Sequence, residues 1–338
     1  MSKKISIIIM SISLLSITAC QGQSKKIMNT EISNTNPLLC DPETGLCEIP
    51  GNDAKDTTTI MTQSKEKQVR VVYFTDPICS SCWGIEPQLR KLKLEYGEDI
   101  AMEYRMGGLL PDWSYNSGGI NKPDDVAHHW DEMSVYYDMP IDGDIWLEDP
   151  LHSSYPPSIA FKAAQLQDEA KAILFLREVR EMVFLKRRNI AKWEYIASAA
   201  MNVGLNVEQL KTDMEGKAKT WFEEDLKLAR EFGVRGFPTM FFMDSSGNKE
   251  MVYGSRPYAF YETAILKIQP AVVKREYKKD WETLFTKYPS LTAREFVELS
   301  GTPRNESEKL LNELTKNGKL EKLTTKNGAL WRRKSTSS

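Results

Sequence analysis

Five cysteines stand in three settings: Cys20 alone, the pair Cys40 and Cys47, and the run Cys79-Ser80-Ser81-Cys82. A Cys-x-x-Cys pair does dithiol chemistry when one thiol is held as a thiolate. The run Val71-Val72-Tyr73-Phe74 before it is apolar, β-branched and aromatic and reads as a buried strand. Asp76-Pro77 stops that strand, because proline donates no ladder hydrogen bond and restricts its predecessor. After it, Leu89, Leu92 and Tyr96 recur at helical spacing from Gln88 onward. The thiols therefore fall where a strand hands over to a helix start. There, unpaired N–H groups and the positive end of the helix dipole favour a thiolate. Cys79, nearer the helix start and solvent, is expected to attack, and Cys82 to resolve. A structural disulfide or half a metal site is the bland alternative. Glu86 is expected to make a helix-surface salt bridge or to assist proton transfer from Cys82.

A second signal lies far downstream. Gly236-Phe237-Pro238-Thr239 opens an apolar strand from Val234 to Asp244, which ends in the turn Ser245-Ser246-Gly247-Asn248. Strand, Cys-x-x-Cys, a helix with Pro87, and a distant Gly-Phe-Pro-Thr together resemble the thioredoxin superfamily. The long, mostly helical span between the halves resembles its DsbA-type branch. The resemblance implies an α/β thioredoxin-like fold with a helical insertion. It also implies a cis Phe237–Pro238 bond beside the sulfurs, with the Phe237 backbone open to an extended substrate. Trp83 and Phe237 would offer substrates apolar surface, or would simply pack. The chemistry implied is thiol–disulfide exchange with cysteine-containing proteins, with no cofactor and a separate partner to recycle Cys79 and Cys82. Ser80-Ser81 lacks the histidine of DsbA-type centres, so oxidase, isomerase and reductase directions all stay open. The intact Cys-x-x-Cys argues against an isomerase of the glutathione-dependent type.

The chain begins with Lys3-Lys4 and an apolar run to Thr18, which matches a secretory leader and is short for a membrane span. Ile17-Thr18-Ala19-Cys20 resembles a bacterial lipobox, which implies a lipid on Cys20 and a place on the extracytoplasmic side of the cell envelope. A cleaved, unlipidated leader is the alternative. Residues 20–67 are rich in Ser, Thr, Asn, Lys and Gln and read as a tether. Within it, Pro42 and Gly45 suggest a turn that brings Cys40 and Cys47 together. A small hairpin disulfide is the simplest reading, a relay with Cys79 and Cys82 the second, and zinc the last, for want of a nearby His and ligand spacing. Lipidation of Cys20 would leave two pairs.

The core is expected over residues 68–273, with the helical insertion at about 123–232. Gly107-Gly108 and residues 112–122 form a loop that could border the site. His128, His129 and His152 read as packing or loop residues, and no metal site is expected. The charged stretch 273–279 reads as a linker. Residues 281–334 have their own pattern: a helix capped by Ser290 or Thr292 and stopped by Gly301, a second helix after Pro303, and a hairpin at Asn327-Gly328. This resembles a small winged-helix module. Its second helix carries Glu306, Glu308 and Glu313, and the chain's net charge is −2, so nucleic acid is not expected. Core plus module is similar to the YjbH/SpxH-type adaptors of the ClpXP protease. Those are cytosolic, and the lipobox stands against that place. The sequence therefore favours an exported thiol–disulfide oxidoreductase, with a non-enzymatic adaptor as the alternative.

Overall fold

The computed structural model describes residues 40–41, 46–48, 67–114 and 122–334, all within one compact unit, Asn34–Ser338. The expected leader, Cys20 and most of the expected tether lie outside the described residues. Of the tether, two short strands are described, β1 (Cys40–Asp41) and β2 (Leu46–Glu48), which pair antiparallel with Cys40 opposite Cys47.

The apolar run becomes β3 (Val69–Thr75). Val71, Val72, Tyr73 and Phe74 are all buried, because elements cover both faces of the strand, which is why the run does not alternate. The chain is already helical at Ser80. It forms α1 (Ser80–Gly84), turns at Ile85, and continues as α2 (Glu86–Tyr96), with Pro87 in the first turn, where a missing N–H costs nothing. This crossover returns the chain to β4 (Ile100–Met106), parallel to β3.

The helical insertion comprises α3 (Pro123–Tyr137), α4 (Ile145–Glu148), α5 (Tyr155–Gln167), α6 (Glu169–Lys186), α7 (Trp193–Asn202), α8 (Val207–Glu215) and α9 (Lys217–Glu231). The next stretch, expected as one strand, divides at Pro238. β5 (Gly236–Phe237) joins the tether hairpin, and β6 (Thr239–Met243) pairs antiparallel with β3. Proline offers no N–H to carry a ladder through, so the two halves serve different sheets. After β6 come β7 (Lys249–Tyr253) and α10 (Tyr258–Ile268), which complete a sheet of order β4-β3-β6-β7.

The C-terminal part adds α11 (Trp281–Lys287), β8 (Ser290–Thr292), α12 (Ala293–Ser300), α13 (Arg304–Lys316), β9 (Leu320–Thr325) and β10 (Gly328–Arg333). The sheet order is β8-β10-β9, so the structure has one helix and one short strand more than the sequence suggested. Thr292 and Glu295 form a reciprocal capping box, and Gly301 ends α12 at φ 72°, a left-handed turn that glycine takes without strain. Leu284, Phe285, Phe296, Leu299, Leu311 and Trp331 make a separate small core.

Charged groups seat this module on the thioredoxin-like part. Glu295 is fully buried and receives Arg177 through two bonds of 2.8 and 3.0 Å, with Arg90 at 3.2 Å. Arg90 also donates to the Ser290 carbonyl at 2.7 Å, and Arg332 pairs with Glu181. Burial works to raise the Glu181 carboxyl, yet Arg177 and Arg332 outweigh it and hold it at about 2. The stretch expected as a linker is pinned as well: Arg275 N–H donates to the Glu95 carbonyl at 2.9 Å, and Lys274 bridges Glu95 and Glu262.

Removing one partner of such a set leaves the others charged and buried, at about 3–5 kcal/mol. Glu295→Ala is accordingly expected to lower stability by about that amount, read as a fall in the urea unfolding midpoint.

Candidate functional site

Three elements place the sulfurs. The end of β3 supplies Thr75 and Asp76, α1 supplies Cys79 to Cys82, and α6 reaches in with Arg180. Cys79 is the N-cap of α1, with extended backbone (φ −74°, ψ 109°), and its Sγ accepts the Cys82 N–H at 3.1 Å. That is the helix-start setting the sequence implies.

Solvent access differs from expectation. Cys79 is not the exposed thiol: both sulfurs have no exposure, because α2, α3 and β2 pack against α1. Burial pushes the Cys79 thiol well up. Burial opposes ionisation of Cys82 too, but a hydrogen bond from the Cys79 thiol, the Arg180 charge, the Thr75 hydroxyl and the Asp76 backbone bring it below its ordinary value. In this packing Cys82 is the more readily ionised of the two sulfurs, with the Cys79 thiol as a donor to it. Hydration of Cys79 would remove the burial cost and leave the helix-start N–H that favours its own thiolate.

Arg180 has no exposure either. It donates to Glu86 Oε1 at 2.6 Å, to Thr75 Oγ1 at 2.6 Å and to the Asp76 carbonyl at 3.3 Å. Glu86 therefore makes the expected salt bridge, but a largely covered one, to Arg180 and to Arg90 four residues on. Burial would raise its carboxyl, but Arg180 and Arg90 hold it down, which disqualifies it as a proton carrier for Cys82. The carboxyl suited to holding a proton is Asp76, which burial raises to about 6. Its Oδ1 accepts Ile78 N–H at 3.0 Å, and its Oδ2 accepts Leu109 N–H at 2.8 Å and Ser154 Oγ–H at 2.9 Å.

Trp83 and Phe237 are packing residues in this structure. The Trp83 ring stacks on Phe184 at 5.5 Å between centroids, lies 4.3 Å from the Arg177 guanidinium, and donates through Nε1 to the Pro140 carbonyl at 3.0 Å. The Phe237 ring presses on Gly107, where an added Cβ would sit 1.6 Å from its Cζ. The Phe237–Pro238 bond is cis, and the Phe237 backbone pairs with Cys47 of β2. Ser81 Oγ and Tyr137 OH share a 2.7 Å hydrogen bond on the α3 side. His128 is exposed on α3. His129 is buried, and burial lowers it to about 4. His152 is an exposed loop residue remote in sequence from either motif. Among the described residues no group of three or more His, Cys, Asp or Glu side chains is placed to hold a metal.

The sequence reading missed Arg180 and the role of Asp76. Asp76 was legible only as a strand stop before proline. For Arg180 the one available signal is a cation on the apolar stripe of Leu176, Val179 and Val183, which only a buried partner would tolerate.

Two outcomes follow. Arg180→Met removes the cation beside Cys82, so the pH midpoint of the ultraviolet thiolate absorbance should rise by about 1–3 pH units. Asp76 holds its proton more tightly folded than unfolded, so its contribution to stability is full below the ordinary carboxylate range and falls as pH rises through about 6. The stability difference between the unaltered chain and Asp76→Ala should therefore shrink by about 2 kcal/mol between pH 4 and pH 7 in urea titrations.

The geometry has counterparts. Residues 73–263 match the family model described as Thioredoxin. A ClpXP adapter protein SpxH of Halalkalibacterium halodurans is 34% identical over 303 residues, covering 88% of this chain and 97% of the relative. The Bacillus subtilis protein of the same name is 28% identical over 279 residues, covering 80% and 91%. A solved structure of a candidate protein disulfide isomerase from Nitrosomonas europaea superposes at a TM-score of 0.51 with 18% identity, over 60% of this chain and 97% of its own, and shares the fold. With a thioredoxin-type core and a relative matched along nearly its whole length, the chain belongs to the thioredoxin superfamily, in the family of the SpxH ClpXP adapter proteins.

Proposed function

We propose that this chain is a client-binding adapter of the SpxH kind, which holds another protein and presents it to a ClpXP protease. The observation that carries this reading is the extent of the likeness. Similarity to the Halalkalibacterium halodurans SpxH adapter covers 88% of the chain, more than residues 1–280 make up, so it reaches beyond the thioredoxin-like part into the C-terminal module. The fold-level likeness to the solved Nitrosomonas europaea structure covers 60%. The ion pairs around Glu295 make core and module one body, as suits a protein that presents one partner to another. The burial of Cys79, Cys82, Trp83 and Phe237 adds to this, since neither Cys79 nor Cys82 is exposed to a substrate in this packing.

A second reading is an exported thiol–disulfide oxidoreductase, anchored by a lipid on Cys20. Two observations favour it: the Cys79–Cys82 geometry, with a cation beside the inner sulfur, and the leader-like residues 1–18 ending in Thr18-Ala19-Cys20. An exported protein does not meet a cytosolic protease, so location separates the two readings.

Cell fractionation combined with affinity capture of the full chain tests them. The adapter reading expects a cytosolic chain that retains ClpX, with Cys79→Ala/Cys82→Ala changing ClpX capture by less than about twofold, as for substitutions outside an interface. A chain found in the membrane fraction, digested by protease added to intact spheroplasts, and trapping exported proteins on Cys79 when Cys82 is serine, would replace it with the oxidoreductase.

A further inference from the structure

The tether contributes a strand to the site. β2 pairs antiparallel with β5, Cys47 opposite Phe237 and Glu48 opposite Gly236, so backbone of this chain occupies the edge beside the Cys79–Cys82 turn. The same strand packs against α1, which Cys79 caps. On its other side β2 pairs with β1, Cys40 opposite Cys47. Directly opposed residues of an antiparallel pair have Cα atoms about 4.5–5.5 Å apart, within the range a disulfide spans. One short strand thus brings a second cysteine pair to the first.

We propose that Cys40 and Cys47 are an in-chain thiol–disulfide partner of Cys79 and Cys82, docked on the β5 edge as an extra strand. The inference goes beyond both readings above and holds under either. Main-chain pairing supplies the docking, and belonging to one chain makes the encounter intramolecular. In the exchange, the Cys79 thiolate attacks the Cys47 sulfur of a Cys40–Cys47 disulfide. A Cys79–Cys47 bond forms, and Cys40 leaves as a thiolate and takes up a proton. The Cys82 thiolate then attacks the Cys79 sulfur, and Cys47 leaves and is protonated in turn. Two electrons and two protons have passed from Cys79 and Cys82 to Cys40 and Cys47. No outside oxidant enters, and the reverse uses the same steps.

The test uses the full chain carrying Cys82→Ser, so that a bond made by Cys79 is not resolved from within. After incubation, free thiols are blocked, and the chain is digested without reductant and read by mass spectrometry. The expected product is a Cys79–Cys47 linked peptide in monomeric protein, independent of concentration and lost on adding Cys47→Ser. Cys79 recovered as a thiol, or joined to Cys20 or a small thiol, with Cys40–Cys47 intact, overturns the proposal. A second measurement does not depend on how Cys82→Ser folds. A limiting dithiol reductant should reduce Cys40–Cys47 at least about tenfold faster in the unaltered chain than in Cys79→Ala/Cys82→Ala, and equal rates overturn the proposal.

Discussion

A guanidinium with no access to water holds the centre of this protein. Arg180 reaches from α6 to the end of β3 and to the first turn of α2, binding Thr75, the Asp76 carbonyl and Glu86. A buried cation is tolerated only when paired and hydrogen-bonded, so its partners are constrained with it. The arrangement welds the helical insertion to the strand–helix junction that carries the thiols. It also places positive charge beside Cys82, where the inner sulfur gains from it. Insertion, sheet and dithiol are in this sense one electrostatic unit.

A neighbouring arginine extends that unit to the C-terminal module. Arg177, less than one helical turn before Arg180, lies over the Trp83 ring and grips Glu295 of α12. The module's carboxylate and the indole next to Cys82 thus share one guanidinium. A module so attached is not a swinging appendage. This is why the length of the likeness to the SpxH adapters weighs more in the functional reading than the dithiol alone, which many thioredoxin-like proteins use in different ways.

Short-range features were legible because their causes are short-range. The helix start at Cys79, the hairpin at Asn327, a cap at Ser290 or Thr292, which the structure places at Thr292, and the stop at Gly301 each depend on residues a few positions apart. The helical periodicity of the insertion was equally visible, since each helix buries its own stripe. Features set by two distant segments were not legible. Glu86 looked like a surface residue until α6 covered it, and the stretch 234–244 looked like one strand until β3 and β2 claimed its two halves.

While the thioredoxin-like order of elements came from a family resemblance, the sequence by itself determined the dithiol at a strand-to-helix junction, the run of helices after it and the presence of a separate C-terminal pattern. Residue type and spacing suffice for these, because propensity, capping and periodicity act locally. Only the tertiary structure decided which sulfur ionises more readily, that both are covered, and that the short strand Leu46–Glu48 lies on the β5 edge. Burial and long-range pairing govern those outcomes. Desolvation depends on every element that packs against a group, and a backbone edge has no side-chain signature that announces its partner.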